Sequence, residues 1–240
     1  MGPLIVSLLP LAFGIALSPL AIMALVAVLL SRHGRTNGIA FLIGWVVAVV
    51  AVLAVSLWIF ALVEVHARAQ PPLWVPLVRL VLGLFLLLAA IVVYRRGSAR
   101  NRQMAQAVTP ADVVQAAPQL PGWLNAVESF KPGRSALLGF GIFVLNPVDA
   151  SCAILAALDL QLASISTGAM VTTAIVFAVV GVLPIAVPVL FTLIRGEKAQ
   201  PLLTASRGWI ATHTNVLNAA LLLVIAVLQL QKGLSTLLAY

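Results

Sequence analysis

A chain of 240 residues is long enough for one or two soluble domains, but 62% hydrophobic and 8% charged residues, with a mean hydropathy of +1.15, exclude that class and indicate an integral membrane protein. The net charge of +8 does not point to nucleic acid, because the bases cluster at alternate connections between apolar runs rather than on one face. The single cysteine, Cys152, excludes an intramolecular disulfide and a dithiol relay.

A bilayer crossing takes about 20 mostly apolar residues, and six runs meet that need, at about 3–31, 39–63, 73–95, 135–157, 166–194 and 212–231. The fold class expected is an all-α polytopic membrane protein with six transmembrane helices. The first run lacks a basic leader and exceeds a signal-peptide core, so it is expected to be retained. Arg32 and Arg35 follow the first helix, Arg95, Arg96, Arg100, Arg102, Lys131 and Arg134 separate the third and fourth, and Arg195, Lys198 and Arg207 separate the fifth and sixth. Only Arg68, Arg79 and Lys232 fall on the other side. By the positive-inside rule the basic loops are cytoplasmic and both termini are outside.

The first helix carries Ser18-Pro19 near its middle, where proline removes a backbone donor and a kink or break is expected. A tight turn over 31–38 leads to a second helix with Gly44-Trp45, a small residue that permits close approach beside a large anchor. The connection from Glu64 to Pro72 is short and irregular, and the third helix opens at Trp74. Arg79 then lies ~9 Å below its outer end and Asp149 lies ~13 Å deep on the fourth, at ~1.5 Å per residue, so the two charges are candidates for a pair. Separate solvation is the alternative. In the long third connection, Thr109-Pro110-Ala111-Asp112 reads as the start of a short helix that Pro118 stops. Trp123, Leu124, Val127 and Phe130 then form an apolar stripe expected to lie on the membrane surface. Pro184 and Pro188 predict a second bent or broken element in the fifth helix. His33, His66 and His213 lie at membrane edges on both sides and cannot make one metal site; no metal and no cofactor is expected, and a membrane enzyme is disfavoured.

The central feature is a motif that occurs twice. Phe13-Gly14-Ile15 leads to Ser18-Pro19, and Phe140-Gly141-Ile142 leads to Asn146-Pro147. Three crossings separate the copies, so halves sharing a fold would face opposite ways and form an inverted 3+3 repeat with interrupted helices 1 and 4. The corresponding division is 1–96 for the first repeat, 97–134 for a cytoplasmic linker and 135–240 for the second repeat. Paired interruptions of this kind mark substrate sites in secondary transporters, because freed backbone groups and helix ends supply polarity without charged side chains. Ser18, Pro19, Asn146, Pro147, Asp149 and Arg79 are therefore the candidate substrate-binding residues. The alternative is that both prolines are simple kinks in a packed bundle.

The Ser-Pro and Asn-Pro pair, the segment from Pro121-Gly122-Trp123 to Lys131-Pro132-Gly133-Arg134, and Arg207-Gly208-Trp209 together resemble the peptidoglycolipid and sulfolipid addressing proteins of the lysine-exporter (LysE) superfamily, across essentially the whole chain. The resemblance implies a bacterial inner-membrane protein that exports or addresses envelope lipids. That family commonly follows Asn-Pro with Lys-Asn, whereas Val148-Asp149 stand here, which puts the usual charge preference for cargo in question. The expected partners are a membrane lipid or glycolipid and the bilayer, with a homodimer or proteins of lipid synthesis and export left open. A small-solute exporter of the amino-acid type and an accessory subunit of a lipid exporter are the competing functions.

Overall fold

The computed structural model describes residues 2–63, 72–106 and 130–239, and these residues form helices and short connections with no strand. The helices are α1 (Gly2–Ala16), α2 (Pro19–Leu30), α3 (Gly34–Leu62), α4 (Trp74–Gln106), α5 (Pro132–Leu145), α6 (Pro147–Leu162), α7 (Thr167–Arg195) and α8 (Gln200–Leu237), with a 3-10 turn over Gly196–Ala199. Four segments are long and apolar enough to cross a membrane by themselves, namely Gly34–Leu62, Trp74–Ala99, Thr167–Arg195 and Asn218–Leu237. Two further pairs of helices are long and apolar enough only when taken together, and each pair is bent. α1 and α2 meet at 49°, and α5 and α6 at 69°.

Both breaks have the same cause. Ser18 and Asn146 precede prolines, and proline's ring disfavours helical backbone in the residue before it. They adopt nearly the same extended conformation, φ −60°, ψ 107° at Ser18 and φ −83°, ψ 106° at Asn146. Each following proline occupies the first turn of a new helix, where the missing N–H costs nothing. Of the bend or break expected at Pro184 and Pro188, the break does not occur. α7 continues through both as one helix. A bilayer span tolerates proline when neighbouring protein receives the freed carbonyl.

The short helix α6 is the centre of the molecule. From Ser151 to Gln161 almost every residue is buried, Ile154 being half-buried, and α1, α3, α5 and α7 all pack on it. α3 lies against α5 at backbone distance, since a Cβ on Gly44 would collide with the carbonyl of Ala136 and one on Gly139 with the carbonyl of Phe41. Only glycine permits that approach, which matters where packing rather than water exclusion drives helix association. The adjacent Trp45 fills the same seam, stacked on Phe41 and edge-on to Phe143. α4 and α8 form a second unit, each being the other's main partner. Outward-facing side chains such as Trp58, Leu62 and Ile194 are exposed, as expected of surface that meets lipid.

The helix ends sort onto two faces. On the basic face, Arg35 at the start of α3 donates to the carbonyl of Leu193 at the end of α7, at 2.7 Å. Asn37 donates to the carbonyl of Phe130, just before α5, at 2.9 Å. On the opposite face, Gln161 at the end of α6 donates to the carbonyl of Leu57 near the end of α3, at 2.9 Å. Several expected boundaries shift outward. α4, α6 and α8 run to 106, 162 and 237, and α8 begins at 200, so the Arg207-Gly208-Trp209 motif lies within a helix rather than before it. The loop 64–71 with His66 and Arg68, and the helices expected at 109–118 and from 123 to 129, lie outside the described residues.

Candidate functional site

The two breaks face each other and share one polar cluster. Ser18 Oγ donates to Asp149 Oδ2 at 2.9 Å, and Asn146 Nδ2 donates to the same oxygen at 2.7 Å and to Ser18 Oγ at 3.3 Å. Asn146 also caps its own helix, its Oδ1 accepting from the backbone N–H of Val148 at 3.1 Å. That is ordinary N-cap chemistry, with Pro147 next and a carboxylate in the first turn near the positive end of the helix dipole. Ser18 does otherwise. It stands at the N-cap position of α2 but makes no capping bond with its side chain, so its hydroxyl is spent on Asp149 of α6 instead.

Ser18 is 2% exposed and Asp149 is not exposed at all. Asp149 Oδ2 accepts both bonds, while Oδ1 is buried without a partner. A bare buried carboxylate oxygen is unusual, because polar groups removed from water ordinarily find partners, and ionisable groups inside a span mark functional positions. The cluster forms the floor of a cavity of about 1090 Å³. Ser18, Pro19, Asn146, Pro147 and Asp149 all line it, so five of the six residues picked from sequence come together. Its walls are apolar, from Val93 of α4, Leu137, Leu138 and Ile142 of α5, and Leu222 of α8. At the basic face it reaches Phe130 and the exposed Arg96 and Arg134.

Arg79 is the sixth residue, and it belongs elsewhere. Instead of meeting Asp149, its guanidinium donates to Asp159 Oδ1 at 2.6 Å and to Gln229 Oε1 at 2.9 Å. Lys232 Nζ reaches the other oxygen of Asp159 at 2.8 Å. The sequence reading ended the fourth helix at 157 and so left Asp159 outside the membrane. With α6 running to Leu162, Asp149 lies ~20 Å from the opposite-face end and Asp159 only ~5 Å from it, at ~1.5 Å per residue. Depth matches Arg79 to Asp159. The sequence signal for the longer helix is Asp159-Leu160-Gln161, two polar residues continuing an apolar run. Arg96, Arg134 and Asn218 were likewise not picked as cavity residues, because their approach depends on how α4, α5 and α8 are arranged.

The profile of the family of Sap, sulfolipid-1-addressing proteins, matches residues 8–235. The chain belongs to that family. Both breaks and every cavity-lining residue fall within the matched stretch of this sulfolipid-1-addressing protein family member. No curated protein and no solved structure matches the chain. A membrane protein with a role in lipid export is the function that membership and the apolar helices support.

Proposed function

We propose that the chain is a carrier, not an enzyme, that moves an amphipathic envelope lipid or glycolipid across a bacterial inner membrane. The observation that carries this reading is the form of the cavity, which combines a small polar floor at the paired breaks with long apolar walls and arginines near the basic face. The head group sits at the floor beside Asn146 and Asp149, exchanging hydrogen bonds with the cluster as it binds, and the acyl chains lie along α4, α5 and α8. A volume of about 1090 Å³ lies at the upper end of drug-sized ligand pockets, and few charges suit an oily cargo.

In this reading each bent pair is one span, giving six crossings as an inverted repeat of the lysine-exporter type, with the basic loops cytoplasmic and both termini outside. Matching backbone at Ser18 and Asn146, and the contact between them, support that symmetry. An Arg79 to Asp149 pair able to hold a zwitterion would favour the amino-acid exporter, and Arg79 is instead bound to Asp159. Partner proteins and a second copy of the chain are compatible with the lipid reading but nothing in it requires them.

The test is a strain lacking the gene, in which envelope lipids at the cell surface and secreted amino acids are both measured. Loss of one lipid class from the surface, restored by the parent chain and not by Asp149→Asn, is the expected result. Normal lipid placement with impaired efflux of an amino acid would replace this reading with the small-solute one.

A further inference from the structure

Of the six acidic residues in the chain, Asp149 and Asp159 are the two within the membrane-spanning helices, and only the first touches the cavity. They stand ~15 Å apart along α6 at ~1.5 Å per residue. Between them Cys152, Ala153, Leu155, Ala156 and Leu158 are fully buried, and none of them lines the cavity. The crevice that begins at the basic face thus ends at Asp149, and the stretch beyond is packed shut.

The bonds that hold this shut stretch converge on one side chain. Arg79 is on α4, and Gln229 and Lys232 are on α8, the two helices that pack chiefly on each other. α6 has little other contact with them, yet Asp159 takes Arg79 on one oxygen and Lys232 on the other, and is itself 6% exposed. These are the only salt bridges among the described residues. If the α4–α8 unit moved from α6, Arg79 and Gln229 would stay together and, among the described residues, the hydrogen bonds to part would be the two to Asp159. The α3–α5 seam is of a different kind, with backbone on backbone through glycine, and has no such separable contact.

We propose that Asp159, with Arg79 and Lys232, is the gate that closes the crevice toward the face opposite the basic loops. This rests on the transport reading, which requires the crevice to open alternately to each side. An ion pair suits a gate because the same charges that hold together in the closed, dry seam become hydrated when it opens, so parting this contact is opposed less than parting an apolar one. An apolar seam facing lipid would have no comparable preference for one partner.

Cys152 is the chain's only thiol and lies behind the gate, so it reports opening without further engineering. The protein, in sealed vesicles of defined orientation, is treated on the face opposite the basic loops with a membrane-impermeant maleimide. Asp159→Asn is expected to raise the labelling rate of Cys152 about tenfold, the response of a population released from one favoured state, while Asp159→Glu, which keeps both cations, labels like the parent. Correctly inserted Asp159→Asn with an unchanged rate overturns the gate. Should that variant fail to accumulate, Lys232→Gln, at a residue whose side chain is 37% exposed, is expected to give a smaller rise, and no rise would overturn the proposal equally. The labelling needs no cargo. A rise in labelling without lipid movement would sustain the gate and refute lipid transport, whereas lost lipid export with unchanged labelling would do the reverse.

Discussion

At the scale of single residues, the chemistry concentrates on Asp149 and its two donors. Replacing Asp149 by asparagine keeps the shape but puts an amide N–H where one carboxyl oxygen stood. A buried polar group left without its partner costs about 1–3 kcal/mol, so lipid transport in reconstituted vesicles is expected to fall about tenfold. Asn146→Ala is expected to do two things, lowering transport and removing the α6 cap at a cost of about 1 kcal/mol, read as earlier unfolding in a detergent titration. Trp58→Leu changes a side chain that is 64% exposed toward lipid and is expected to leave both measurements unchanged. If all three variants transport equally, the cluster is not the site.

At the scale of elements, two kinds of contact hold the bundle. The seam between α3 and α5 depends on glycine, and a single added methyl at Gly44 meets backbone rather than a movable side chain. Gly44→Ala is therefore expected to destabilise the protein by about 1–3 kcal/mol, the usual cost of overpacking, measured by unfolding in mixed micelles. The α7 prolines make the contrasting case. Because that helix is continuous through Pro184 and Pro188, Pro188→Ala is expected to preserve transport, whereas Pro147→Ala removes the cause of the α5–α6 break and is expected to abolish it. Equal transport by the two proline variants would show that the break itself has no function.

At the scale of the whole molecule, helix order and the distribution of arginines set the orientation. A reporter enzyme active only outside the cytoplasm, fused after Leu238, is expected to be active, and the same reporter placed after Arg35 is expected to be inactive. The reverse pattern would invert the topology and turn the crevice, with Arg96 and Arg134, outward. The assembly has two parts. α1, α3, α5 and α7 gather around α6, while α4 and α8 pair with each other, and the cavity lies where α4, α5, α6 and α8 come near one another. Relative movement of these parts changes the cavity and the Asp159 bonds together.

Composition and hydropathy were enough to establish a helical membrane protein, since a bilayer leaves few alternatives to apolar helices of sufficient length. Ser18-Pro19 and Asn146-Pro147 announced the breaks because proline acts locally on the residue before it. Charge pairing was not legible in the same way. Which carboxylate Arg79 meets depends on the rotation and true end of α6, and a hydropathy run marks neither. The prolines of α7 leave a bend and a break both open in the sequence for the same reason, since only their surroundings decide whether a helix can continue. Tertiary structure alone brought Ser18 to Asp149 across 131 residues and left Arg79 with Asp159, because contacts between helices follow from packing and depth rather than from spacing along the chain.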